Sequence, residues 1–137
     1  EMAADMKVLA LVALILPGPA LAQDALTGLE FEARTTGKTM TYGRDGQVWG
    51  REQYLNGRRV IWAFEGEACK RGTWAEAAPG LICFSYDDRP GDPECWQFFD
   101  EGGSLLAQSE RAPNSARLAA VEESTKALAC PGPEVGV

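Results

Sequence analysis

The sequence predicts a small, mainly β domain: an antiparallel meander closed as a barrel or a sandwich, with a short N-terminal helix, a C-terminal helix and two disulfides. Three observations carry this. Asp45-Gly46, Asn56-Gly57, Pro79-Gly80 and Gly102-Gly103 divide β-branched and aromatic runs at hairpin spacing. Within several runs the apolar residues alternate, as in a strand with one face buried. Cys69, Cys83, Cys95 and Cys130 make an even cysteine count in a short chain that carries an export signal.

The signal comes first. Lys7 supplies a positive start, Val8 to Leu16 an unbroken run of nine apolar residues, and Ala20-Leu21-Ala22 an A-x-A cleavage site. Nine residues are too few to cross a hydrocarbon core about 30 Å thick, which takes roughly 20 in a helix. Residues 1–22 therefore read as a signal peptide, with Glu1 to Asp5 a short extension before Met6. Residues 23–137 read as one periplasmic or secreted β domain, beginning at Gln23.

Thr27-Gly28-Leu29-Glu30 fits a capping box, which predicts a helix over 28–35 stopped by Gly37, with Leu26 and Phe31 placed for a hydrophobic staple. Strands follow near 38–43, 47–55, 58–65, 68–76, 81–87, 94–99 and 104–109, each beside its predecessor. Such a meander buries an apolar face only by curling on itself. Beyond it, Asn114-Ser115 is placed to cap a helix over 116–129, with Leu118, Val121 and Leu128 on one stripe and high alanine content in support. Cys130-Pro131-Gly132-Pro133 stops that helix, and 133–137 reads as loose.

If Asn56-Gly57 makes a two-residue turn, Leu55 faces Arg58 and the hairpin register follows. Arg51 then faces Trp62 and Trp49 faces Phe64, so Trp49, Arg51, Trp62 and Phe64 share one face. An arginine among three aromatic rings is a candidate counter-ion for a ligand carboxylate inside a barrel. A one-residue slip would exchange the two faces.

In Leu81 to Tyr86, Ile82, Phe84 and Tyr86 point one way and Leu81, Cys83 and Ser85 the other; in the next strand Trp96 and Phe98 share a face opposite Cys95. Turning the aromatic sets to the core puts Cys83 and Cys95 on the outer face of neighbouring strands, within disulfide reach. Cys69 is left to pair with Cys130. The gaps between cysteines are too long for paired zinc-ligand spacing, no histidine exists to assist, and no C-x-x-C redox pair is present.

The ordered set Gly37-Lys38-Thr39, Asp45-Gly46-Gln47-Val48-Trp49-Gly50, Gly72-Thr73-Trp74, Leu81-Ile82-Cys83-Phe84-Ser85-Tyr86 and Cys95-Trp96 resembles a family of small exported proteobacterial proteins, a domain of unknown function. The resemblance covers about 27–99 and implies a small antiparallel β fold in the periplasm with no established activity. A Gly-x-Trp piece also occurs in lipocalin-like barrels, near their start, and in small periplasmic protease inhibitors. Here Gly72-Thr73-Trp74 is mid-chain, so that link is analogy.

The net charge of −7 repels phosphate backbones and argues against nucleic acid. With no histidine and with cysteines in disulfides, the common nucleophile–base pairs are missing; Lys38, Lys70 and Lys126 lie in no S-x-x-K context. No phosphate loop or dinucleotide fingerprint appears. Asp87, Asp88, Asp92 and Glu94 crowd one loop, but Arg89 sits among them and the spacing is not that of a calcium loop. The expectation is a non-catalytic, monomeric periplasmic binding or protein-interaction module, inhibitor-like in one version, with no cofactor and no metal. The first alternative is a lipocalin-like carrier of an apolar or amphipathic acid, with Trp49, Arg51, Trp62 and Phe64 as ligand contacts. The second is a hydrolase using the loop carboxylates.

Overall fold

The computed structural model describes residues 2–4, 7–18 and 23–130. The expected cleavage site at 20–22 and the tail at 131–137 lie outside the described residues. No described helix is long and apolar enough to cross a membrane.

The fold is built by a helix, α1 (Gly28–Thr35), and eight antiparallel strands. These are β1 (Thr39–Arg44), β2 (Gln47–Leu55), β3 (Arg59–Phe64), β4 (Lys70–Ala78), β5 (Leu81–Tyr86), β6 (Glu94–Glu101), β7 (Ser104–Ser109) and β8 (Leu118–Ser124). Each strand pairs with the next, and β8 pairs back with β1 to close a barrel. Closure removes every sheet edge. It also gives a small chain an inside, filled by Met40, Tyr42, Tyr54, Val60, Trp74, Ile82, Phe84, Phe98 and Leu105.

The expected helix over 116–129 is corrected: its first half is strand β8. Alanine propensity is worth tenths of a kcal/mol per residue. An open barrel would instead leave the free backbone groups of β1 and β7 unpaired, a larger cost. Leu118 enters the core, whereas Val121, which the helical stripe placed inward, is exposed. Asn114-Ser115 lies in the β7–β8 connection, where Ser115 donates from both its backbone N and its Oγ to the Ala112 carbonyl.

Helix α1 stoppers one end of the barrel. Its capping box forms as expected: Glu30 N donates to Thr27 Oγ1 at 3.2 Å and Thr27 N donates to Glu30 Oε1 at 3.0 Å. Phe31 is fully buried, stacked 4.3 Å from Phe98 and edge-on to Trp74 at 5.0 Å and Tyr54 at 5.5 Å. Polar contacts pin the helix around this ring. Glu76 Oε2 accepts from Gly28 N (2.8 Å) and Gly80 N (3.0 Å), tying the helix N-terminus to the β4–β5 turn. Those two amides hold the Glu76 carboxyl below its ordinary value. Arg34 bridges Asp100 at the end of β6 and Glu123 on β8.

Both expected disulfides are present. Cys83 and Cys95 are direct cross-strand partners on β5 and β6, with Cα atoms 4.0 Å apart. Cys69, just before β4, joins Cys130, Cα to Cα 5.5 Å, and holds the segment after β8 against the barrel.

Candidate functional site

The barrel is open at the end opposite α1. Its mouth is formed by the connections β1–β2, β3–β4, β5–β6 and β7–β8, and a cavity of about 340 Å³ descends from it between the strands. That volume lies within the range of about 300–1,000 Å³ usual for small-molecule sites.

Two backbone features shape the walls. The β1–β2 register steps from Tyr42↔Gly50 to Gly43↔Val48, so Trp49 is the extra residue of a bulge. The bulge turns Trp49 inward, where its ring lies 5.3 Å from Trp62, 5.2 Å from Phe64 and 5.7 Å from Trp96. At Gly50 a Cβ would collide with the Trp62 ring and the Ala63 carbonyl, and at Gly72 with the Ser85 carbonyl and the Tyr86 ring. Glycine at these two positions lets Trp62 and Tyr86 lie flat against neighbouring strands.

The β2–β3 hairpin overturns one expectation. The loop holds three residues, Asn56, Gly57 and Arg58, with Gly57 at φ +73° and Arg58 at φ +57°. Leu55 consequently pairs with Arg59, Glu52 with Trp62 and Arg51 with Ala63. The register is one residue away from the two-residue-turn expectation, and the β2 faces exchange. Arg51 leaves the aromatic face. Its side chain, 38% exposed, pairs outside the barrel with Glu65. Arg58 explains the longer loop: its guanidinium lies 4.4 Å over the Trp74 ring and donates to Glu32 of α1 at 3.1 Å. Trp49, Trp62 and Phe64 do come together in the cavity wall; Arg51 does not join them.

The residue that takes the inward place is Glu52, 2% exposed. Tyr86 donates its hydroxyl to Glu52 Oε1 at 2.8 Å. Glu52 Oε2 is buried and has no hydrogen-bond partner among the described residues. Nearby, Tyr42 and Tyr54 share a hydrogen bond of 2.8 Å between their hydroxyls. Burial pushes the Glu52 carboxyl up to about 8, against the opposing pull of the Tyr86 bond. Burial likewise raises the phenols of Tyr42, Tyr54 and Tyr86 above their ordinary value. At neutral pH the cavity is thus lined with uncharged groups at depth, and its fixed charges sit at the mouth.

The mouth charges are largely paired. Lys70 meets Asp88 at 2.9 Å, Arg89 meets Asp92 at 2.8 Å, and Arg111 joins both Asp92 and Glu94. The hydrogen bond from Arg111 holds the Asp92 carboxyl below its usual range. These acids, suspected from the sequence as a cation loop or a hydrolytic pair, are engaged by basic side chains. No cluster of three or more His, Cys, Asp or Glu suited to a metal occurs among the described residues.

Sequence reasoning missed Glu52 and Tyr54 because both depend on the register of one hairpin; Tyr86 already lay in the core-facing set of β5, without a partner assigned to it. A signal was present: Glu52 and Tyr54 alternate with Gly50 toward one face, as Ile82, Phe84 and Tyr86 do on β5. A scan against protein-family models finds no match to this chain, and searches of curated proteins and of solved structures find none either.

Proposed function

We propose that the protein is a non-catalytic exported binding protein that carries a small, largely apolar molecule inside its barrel. The observation behind this reading is the single-mouthed cavity of about 340 Å³, walled by Trp49, Trp62, Phe64 and Trp96. Aromatic walls with a few convergent polar groups are the usual make-up of a small-molecule site. The cavity favours a small ligand over a protein partner as the occupant. The paired state of the loop acids and the lack of histidine favour binding over hydrolysis. Export rests on the Lys7 to Ala22 pattern and suits two disulfides, which persist in oxidising compartments.

Titration of the intact domain with the uncharged fluorescent probe N-phenyl-1-naphthylamine tests the reading. Saturable enhancement at one site per chain, with quenching of tryptophan emission, is expected. Native mass spectrometry of gently purified protein should show a retained small molecule or its exchange for the probe. A probe that neither binds nor quenches would overturn the carrier function.

A further inference from the structure

Glu52 is an unusual residue to find deep in an aromatic cavity. A buried carboxyl needs partners for both oxygens, and here Tyr86 serves only Oε1. Tyr42 and Tyr54 bond to each other, and neither donates to Oε2 among the described residues. Ionised and unpaired, the group would be costly to bury, so burial keeps it protonated.

Three features specify the partner that Oε2 lacks. The rings of Trp49, Trp62, Phe64 and Trp96 surround the same space, and indole faces attract cations. Arg51, the wall's basic candidate from the sequence, lies outside the barrel with Glu65, so among the described residues no arginine is set at depth to receive an acid. The chain's net charge of −7 draws cations toward it.

We infer that the cavity binds a protonated organic amine, its ammonium donating to Glu52 Oε2 and its apolar or aromatic body held among Trp49, Trp62, Phe64 and Trp96. This deepens the carrier reading and rests on it. Proton balance is simple. The amine enters as an ammonium, the Glu52 carboxyl releases its proton to solvent, and an ammonium–carboxylate pair remains. The titratable groups facing Glu52 are Tyr86 from β5, Tyr42 from β1 and Tyr54 from β2, all neutral across the working range. Trp62, its partner on β3, brings no charge. Arg44, Lys70, Asp88, Arg89, Asp92 and Glu94 stand toward the mouth.

Isothermal titration calorimetry on the full domain tests the inference, with 2-phenylethylammonium, 2-phenylethanol and 3-phenylpropionate as matched probes. Each is measured between about pH 6 and pH 8 in two buffers of different ionisation enthalpy. The amine should bind at least tenfold tighter than the alcohol near pH 8. Below the Glu52 value of about 8 its affinity should rise about tenfold per pH unit, with close to one proton released. Glu52→Gln should remove the pH slope and the amine's advantage over the alcohol. The proton count is read on wild-type protein, so it stands even if that variant folds poorly. Alcohol or propionate binding as tightly as the amine, or amine binding without proton release, would overturn the inference. If N-phenyl-1-naphthylamine enters while the amine does not, only the ligand class falls; if neither enters, the carrier reading falls with it.

Discussion

Glu52 makes the stability of the protein depend on pH in an unusual direction. The carboxyl sits at about 8 in the folded barrel, against an ordinary value of 4.5 in an unfolded chain. Between those values the folded state holds a proton that the unfolded chain has lost, so stability falls as pH rises. The slope for one group is about 1.4 kcal/mol per pH unit. From about pH 5.5 to about pH 9 the accumulated loss is about 3 kcal/mol, which for a domain of this size lowers the melting temperature by roughly 10 °C. The three buried phenols are pushed upward and stay neutral over the window, while Asp92 and Glu76, held below their ordinary values, act only at more acid pH. Thermal and urea unfolding of wild type and Glu52→Gln across this range is the assay. The wild type should be markedly more stable at the acid end, and the variant should show little slope. A wild type with no slope, or a variant with the same slope, would refute the account of Glu52 as a buried, half-partnered acid.

Other perturbations follow from the same contacts. Phe31→Ala removes the ring that stoppers the barrel and should cost about 3–5 kcal/mol in urea unfolding, the usual range for an aromatic core truncation. Arg51→Ala should leave probe binding unchanged and shift stability by no more than about 0.5 kcal/mol, because its pair with Glu65 is exposed; a large loss of binding would mean that the hairpin sits in the other register. Replacing Cys69 and Cys130 together by serine frees a closed loop spanning 61 positions, an entropic cost of about 4 kcal/mol, against about 3 kcal/mol for Cys83 and Cys95, which span 12. Denaturation midpoints of the two double variants should fall in that order.

Much of the fold was legible in the sequence. The glycine-bearing turns marked seven strands to within two residues or so at most ends, and alternation in 81–86 and 94–99 located the Cys83–Cys95 bridge. Two features were not legible, for different physical reasons. Strand β8 looked helical because its local composition is helical; its conformation is decided by the free edges of β7 and of β1, the latter far away in sequence. The β2 faces were inverted because Asn56-Gly57 is a strong two-residue turn signal, and the third loop residue is held by Arg58 contacts with Trp74 and Glu32 on other elements. That single position exchanged Arg51 for Glu52 at the heart of the candidate site and reversed the charge of the ligand expected there. The aromatic wall survived because the Trp49 bulge and the inward side of β3 supply it in the observed register.

The stopper at one end of the barrel makes the cavity a bottle and not a pipe. Whatever enters must leave by the same neck, past the Arg111 clasp that laces the β5–β6 and β7–β8 connections together through Asp92 and Glu94. On the carrier reading proposed above, cargo therefore cannot be pushed through by the next arrival. On that reading, the paired charges at the neck, which salt weakens, are what a passenger passes on its way out.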